Sequence, residues 1–144
     1  MQNHYNLVYR EEEREMLPYC SQEGVGVIPW APLAGGFLAR PHERIHATRR
    51  GETSSSLRRR PYRERGGVEI NERVEELADE KGVSMAQVAV AWLLHKDWVD
   101  VPIVGATRIE HLEDIVEATE IALSGSDLSY LEEPYEPVRV SGHE

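Results

Sequence analysis

Apolar and polar positions alternate along the chain in two recurring ways, and the two predict different elements. Tyr5-Asn6-Leu7-Val8-Tyr9 is short and rich in residues that suit a pleated surface, which predicts a strand. Glu11 to Ser21 reads as a helix, with acidic residues in its first turn and Gly24 past its end. Val25-Gly26-Val27-Ile28-Pro29-Trp30 is a continuous apolar run, as expected of a strand buried on both faces. Ile70, Val74, Leu77 and Ala78 then fall on one helical stripe closed by Gly82. Ser84 caps a second helix, Met85 to Lys96, which is apolar nearly all round and therefore expected to be buried. Val99 to Val104 predicts another buried strand, running into Gly105-Ala106-Thr107. Leu112, Ile115, Val116 and Ala118-Thr119 keep helical spacing, and Ser126 or Asp127 caps a last short helix that stops before Pro134.

Strands alternating with helices imply an α/β fold, with parallel strands joined by right-handed crossovers. Three parallel strands cannot close a barrel, and on their own they leave two raw edges. The pattern is that of part of a larger α/β fold.

Composition places limits on this picture. With 144 residues, of which 40% are apolar and 29% charged, the chain has enough apolar content for a core. By size it is at most one domain, since domains commonly fall at ~100–150 residues. No apolar run approaches the ~20 residues of a membrane helix, so no membrane association is expected. The start, Met1-Gln2-Asn3-His4-Tyr5, lacks the basic and apolar regions of a secretory leader, and a cytoplasmic location is the expectation. Cys20 is the only cysteine, which excludes an intrachain disulfide.

The net charge of −10 is unevenly distributed. From Arg40 to Arg65 there are nine arginines and three glutamates, a local charge of +6, so the rest of the chain sums to −16. This stretch also holds Pro41, Pro61, Thr53-Ser54-Ser55-Ser56 and Gly66-Gly67, and reads as a long surface loop over residues 40–67. A nucleic-acid partner is not expected, because only Tyr62 interleaves the arginines and the acidic body would repel a polyanion. A solvated loop and a cover over an anionic cofactor both remain open. Only Lys81 and Lys96 are lysines, a bias that fits a salt-adapted host as well as a GC-rich genome. A refolding titration into molar KCl separates the two, salt adaptation requiring a gain in stability.

Candidate chemistry sits where strands end. Trp30-Ala31-Pro32-Leu33-Ala34-Gly35-Gly36 offers a flat indole and small residues whose backbone N–H groups can approach a phosphate. Gly105-Ala106-Thr107-Arg108 opens a helix with amides, a hydroxyl and a guanidinium, a set suited to a phosphate monoester. His111 and Asp114 follow on the same side of that helix, within reach of a ribose phosphate or base edge. The residues alone leave equally open a turn around a core tryptophan and a capped helix with a solvated face. The six histidines show no metal-ligand spacing, and no nucleophilic triad can be assembled, so neither a metal site nor catalytic residues are assigned.

In order, these segments resemble the C-terminal half of the aldo-keto reductases, in the long-loop branch that includes potassium-channel β-subunits and many microbial reductases. The resemblance rests on Gln2 with Tyr5-Asn6-Leu7, on the run from Pro29 to Leu38, on Ser84 to Leu94, and on Pro102-Ile103-Val104-Gly105-Ala106-Thr107. It implies the last part of a (β/α)8 (TIM) barrel, with Met1–Leu7, Val25–Trp30 and Val101–Gly105 as strands six to eight. It implies NADPH as cofactor, with Gln2 on the nicotinamide carboxamide and Trp30 stacked on its ring. Ala31, Pro32, Leu33, Ala34 and Gly35 would line the pyrophosphate, and Arg40 would stand against phosphate. Gly105, Thr107 and Arg108 would hold the adenosine 2′-phosphate, with His111 and Asp114 at the ribose and adenine. Ala31 stands where serine is common, His111 where glutamine is, Asp114 where glutamate is and Ile115 where asparagine is, so looser adenine recognition is expected.

The family's catalytic aspartate, tyrosine, lysine and histidine come from strands two to four, which have no counterpart here. The resemblance therefore implies a truncated NADPH-dependent reductase of aldehydes or ketones, inactive alone and completed by an N-terminal half. A non-catalytic nucleotide-binding or interaction module, and the relic of a broken gene, are the alternatives.

Overall fold

Short capping signals set most helix boundaries. In the computed structural model, which describes residues 1–47 and 62–140, α1 spans Met16–Gln22 and α2 spans Gly67–Lys81. Helix α3 spans Met85–Leu94, α4 Ile109–Glu117 and α5 Gly125–Glu132. Gly24 and Gly82 take left-handed φ values of 65° and 68°. Behind them Val25 N–H donates to the Cys20 carbonyl and Val83 N–H to the Ala78 carbonyl, closing two carbonyls that the helices leave unpaired. Ser84 opens α3 through a capping box with Gln87, as its sequence position predicts.

Two helix expectations need correction. The segment from Glu11 is not one helix: a 3-10 turn at Glu11–Glu13 precedes α1, with a break at Glu15. Pro18 explains the break, because its ring would clash with the Arg14 carbonyl of a helix running through that residue. The cap of α5 is Ser124, not Ser126 or Asp127. Asp127 is its capping-box partner, accepting from the Ser124 N–H at 2.9 Å.

The strand expectations fare differently. Among the described residues no extended strand forms; three single bridges take its place. His4 and Trp30 bridge in parallel, as do Trp30 and Ile103, so the three predicted segments lie side by side in chain order. Trp30 N–H donates to Asn3, and Ile103 N–H to Pro29, each at 2.8 Å. After His4 the chain turns back, with Asn6 and Tyr9 exchanging both backbone bonds. The Val25–Trp30 run is not buried on both faces. Val27 and Pro29 are buried, whereas Val25, Ile28 and Trp30 are 40–43% exposed. Its period-two alternation is that of a sheet covered on one side only.

The covered side is the core. Trp92, fully buried on α3, meets Tyr5 with ring centroids 5.3 Å apart and shares one core with Leu7, Leu17, Phe37, Ile70 and Val74. Its indole N–H donates to Glu132 Oε1 at 2.8 Å, and Lys96 and Arg10 hold the same carboxylate. Within the expected loop, residues His42–Ala47 form a 3-10 turn and the return joins α2 through Gly66 and Gly67. A Cβ on Gly66 would fall 1.8 Å from the Pro134 carbonyl oxygen, and one on Gly67 1.9 Å from that of Tyr62. Only glycine fits there. The Thr53–Ser56 run and Arg49, Arg50, Arg58, Arg59 and Arg60 lie outside the described residues.

Candidate functional site

The three bridged segments run parallel, so their carboxyl ends meet at one edge of the molecule, the edge at which open α/β folds bind ligands. Trp30 stands at the centre of that edge, 43% exposed. One face of its indole is stacked by the His4 imidazole, with centroids 4.2 Å apart and planes 16° from parallel. Gln2 lies exposed two residues before His4 on the neighbouring segment.

The chain leaves Trp30 through strained backbone. Ala31 and Ala34 hold left-handed φ values of 56° and 49°, followed by Gly35 at 65° and Gly36 at 92°. For alanine this conformation costs roughly 1–2 kcal/mol per residue, so other bonds must hold it. Asn6 Nδ2 donates to the Ala31 carbonyl at 3.0 Å, Ala34 N–H to the same carbonyl at 2.9 Å, and Gly36 N–H to Leu33 at 2.8 Å. Pro32 and Ala34 are buried beneath the turn, Leu33 is half-buried and Gly35 is exposed. The result is a tight concave turn with an exposed glycine beside an exposed aromatic ring.

Asn71 anchors the far end of this turn. It is fully buried on α2, donates from Nδ2 to the carbonyls of Phe37 at 2.6 Å and Arg40 at 3.0 Å, and accepts from His42 N–H at 2.8 Å. Arg40 is thereby held by its backbone at the end of the turn, half-buried. Arg63 spends its guanidinium on the His42 carbonyl at 2.6 Å.

Beyond Ile103 the third segment leads through exposed Gly105, Ala106 and Thr107 to Arg108, the N-cap of α4. Arg108 is extended and makes no side-chain cap bond, and its side chain is exposed. At about 100° per residue, His111 and Asp114 share the side of α4 that carries buried Ala118. Ile109, Leu112 and Val116 mark the opposite side and are 73%, 50% and 59% exposed. They line a groove of about 420 Å³ with Glu113 and Glu117. The site residues expected from sequence thus form two groups on one edge, Gln2 and 30–40 on one side and 105–114 on the other.

Four residues of this edge carry no sequence signal of their own. His4 reads as one scattered histidine, Asn6 as part of a strand, and Asn71 as a polar residue beside an apolar stripe. Tyr62 stands out only as an aromatic among arginines, yet its hydroxyl lies 2.8 Å from His4 Nε2.

Residues 1–136 match the aldo/keto reductase family, and the chain belongs to it. It is 51% identical over 142 residues to a putative aryl-alcohol dehydrogenase of Schizosaccharomyces pombe, covering 99% of this chain and 40% of that one. It is 46% identical over 139 residues to the versiconal hemiacetal acetate reductase of Aspergillus parasiticus, covering 95% and 40%. Among solved structures, a thermostable aldo-keto reductase crystallised with the inhibitor epalrestat superposes with a TM-score of 0.64 at 29% identity, covering 92% of this chain and 38% of that one. The chain therefore spans about two fifths of the length of the relatives it matches. No helix among the described residues is long and apolar enough to cross a membrane.

Proposed function

We propose that this chain is the cofactor-binding part of an NADPH-dependent aldo/keto reductase, contributing the last three β/α units of a (β/α)8 barrel. The observation that carries the reading is the half-exposed Trp30 ring, backed on one side by His4 and continued by the left-handed Ala31–Gly36 turn. Its free face is open for a planar ring, and the turn beside it suits a diphosphate. Gln2 would meet the carboxamide, Ala31 to Gly35 and Arg40 the pyrophosphate. Gly105, Thr107 and Arg108 would take the 2′-phosphate, with His111 and Asp114 at the ribose and adenine.

When bound, NADPH supplies the hydride that reduces an aldehyde or ketone. This chain's residues would orient it, and the proton donor would come from outside the two fifths of its relatives' length that the chain matches. The exposed face of α4 and the open edges at Met1–Asn3 and Val101–Ile103 are where those segments would seat, as a partner half supplied separately or upstream.

The test has two arms. The 144-residue chain is titrated with NADPH and NADH by tryptophan fluorescence, beside Arg108→Ala. NADPH is expected to bind the native chain, and the variant to bind it about tenfold more weakly with NADH unchanged, as loss of one charge-assisted phosphate contact requires. Absence of NADPH binding would favour a relic over this reading. With a panel of aldehydes the chain alone is expected to oxidise no NADPH, and to do so when co-expressed with the N-terminal three fifths of a relative. Turnover by the chain alone would overturn the division of labour.

A further inference from the structure

The His4 side chain is held on three sides. Its imidazole lies between two aromatic rings, 4.1 Å from Tyr9 and 4.2 Å from Trp30, with planes 14° and 16° from parallel. Tyr62 closes a third side with its ring at 74° and 5.9 Å, and its hydroxyl reaches Nε2 at 2.8 Å. Asn6 Nδ2 approaches the same nitrogen at 3.4 Å while donating to the Ala31 carbonyl, which fixes which end of the amide carries the nitrogen. With a donor already facing it, Nε2 is the acceptor, and the Tyr62 hydroxyl donates to it. The proton of the neutral ring then sits on Nδ1.

Three consequences follow. Trp30, which would otherwise trade rotamers at an exposed edge, has one face pressed against a ring that cannot turn. The same imidazole is joined through Asn6 to the strained Ala31 backbone. Through Tyr62, whose ring also packs on Phe37 at 6.4 Å, it is joined to the far end of the Gly35-Gly36 turn. His4 is therefore linked, through Asn6 and through Tyr62, to both ends of the candidate cofactor turn.

We propose that His4 is a positioning residue that fixes the plane of the Trp30 ring and, through Tyr62, ties the entry to α2 to that ring. The proposal rests on Trp30 being the cofactor platform. Phenylalanine at position 4 would keep the stack but leave the Tyr62 hydroxyl without its acceptor. Alanine would remove both. Lysine or arginine would put a charge between two aromatic rings beside the nicotinamide. Histidine, kept neutral by burial, combines a flat apolar body with one directed acceptor.

The experiment uses the full chain and the variants His4→Ala, His4→Phe, Tyr62→Phe and Trp30→Phe, with two readouts. Acrylamide quenching, taken as the difference from Trp30→Phe, reports Trp30 alone; NADPH titration reports the site. His4→Ala is expected to raise the Trp30 quenching constant about twofold and to weaken NADPH about fivefold, the effect of releasing one ordered side chain. His4→Phe should restore the quenching protection but only part of the affinity, and Tyr62→Phe should match His4→Phe. A merely structural role would not separate the two readouts in this way. Unchanged Trp30 quenching in folded His4→Ala overturns the proposal. Should that variant not fold, Tyr62→Phe with native affinity overturns it. If Trp30→Ala, made beside these variants, binds NADPH as the native chain does, it is the platform reading that fails, while the quenching result still decides whether His4 holds the ring.

Discussion

Replacing Asn71 by alanine is expected to lower stability by about 3 kcal/mol and to release the turn that follows Trp30. The size follows from what is left behind. Asn71 is fully buried, and its amide satisfies the Phe37 and Arg40 carbonyls and the His42 N–H, at 2.6, 3.0 and 2.8 Å. Truncation strands three backbone groups at once, each costing about 1–3 kcal/mol where water cannot reach it, with part recovered as the exposed side of the turn relaxes. Asn71→Asp separates this account from simple loss of volume. The aspartate is isosteric and still accepts from His42, but it turns an oxygen toward two carbonyls. It should therefore be at least as damaging as alanine, whereas a packing account predicts near-native stability. Urea midpoints of the three proteins decide between them. Since Arg40 and the left-handed Ala34–Gly36 backbone depend on this clamp, NADPH affinity should fall together with stability.

The clamp also marks where sequence reading stops. Helix ends were legible because their chemistry is local: Gly24 and Gly82 must turn left-handed, and Ser84 with Gln87 makes a capping box within four residues. Pro18 carries a signal of the same kind, and it overrides the acidic first turn that favours one helix from Glu11. The apolar runs at Val25–Trp30 and Val99–Val104 located the parallel segments, yet could not reveal that half their side chains stay exposed. Burial depends on what packs against a run from elsewhere in space, which the run itself does not record. Trp30 was legible as a flat surface within a motif. Asn71 and His4 were not, because the partners of Asn71 are 29 to 34 residues away in sequence and the rings around His4 are 5 to 58 away. No periodicity encodes such pairs.

Acid is expected to weaken the chain in two successive stages, and the sign of each follows from its group. Burial lowers the His4 pKa to about 4, below the 6.5 of a free imidazole. The unfolded chain therefore takes up this proton first, and the contribution present above pH 6.5 is lost as pH falls toward about 4. The full linkage would be larger, but the imidazole keeps some contact with solvent, so the loss should be about 2 kcal/mol. Tyr62, whose hydroxyl faces it and whose pKa burial pushes up to about 12, stays neutral throughout this range and cannot compensate. The second stage belongs to carboxylates. Burial alone would raise Glu132, but hydrogen bonds from Lys96 and Trp92 and the charge of Arg10 outweigh it and hold its pKa below the ordinary value. Glu11 is likewise desolvated yet held low by Tyr135, the Val138 N–H and Arg14. For both, stability is complete above the ordinary value of 4.5 and is lost as pH falls through the lower folded-state value. Urea midpoints at half-unit steps from pH 7.5 to 3.5 should trace a descent that begins near 6.5 and steepens below 4.5. His4→Phe should flatten the upper stage and leave the lower one. Glu132→Gln should start from lower stability, since Lys96 and Arg10 lose their counter-charge, and should show a shallower lower stage with the upper one intact. An upper stage that survives His4→Phe would mean that another group, and not the ring behind Trp30, titrates between pH 6.5 and 4.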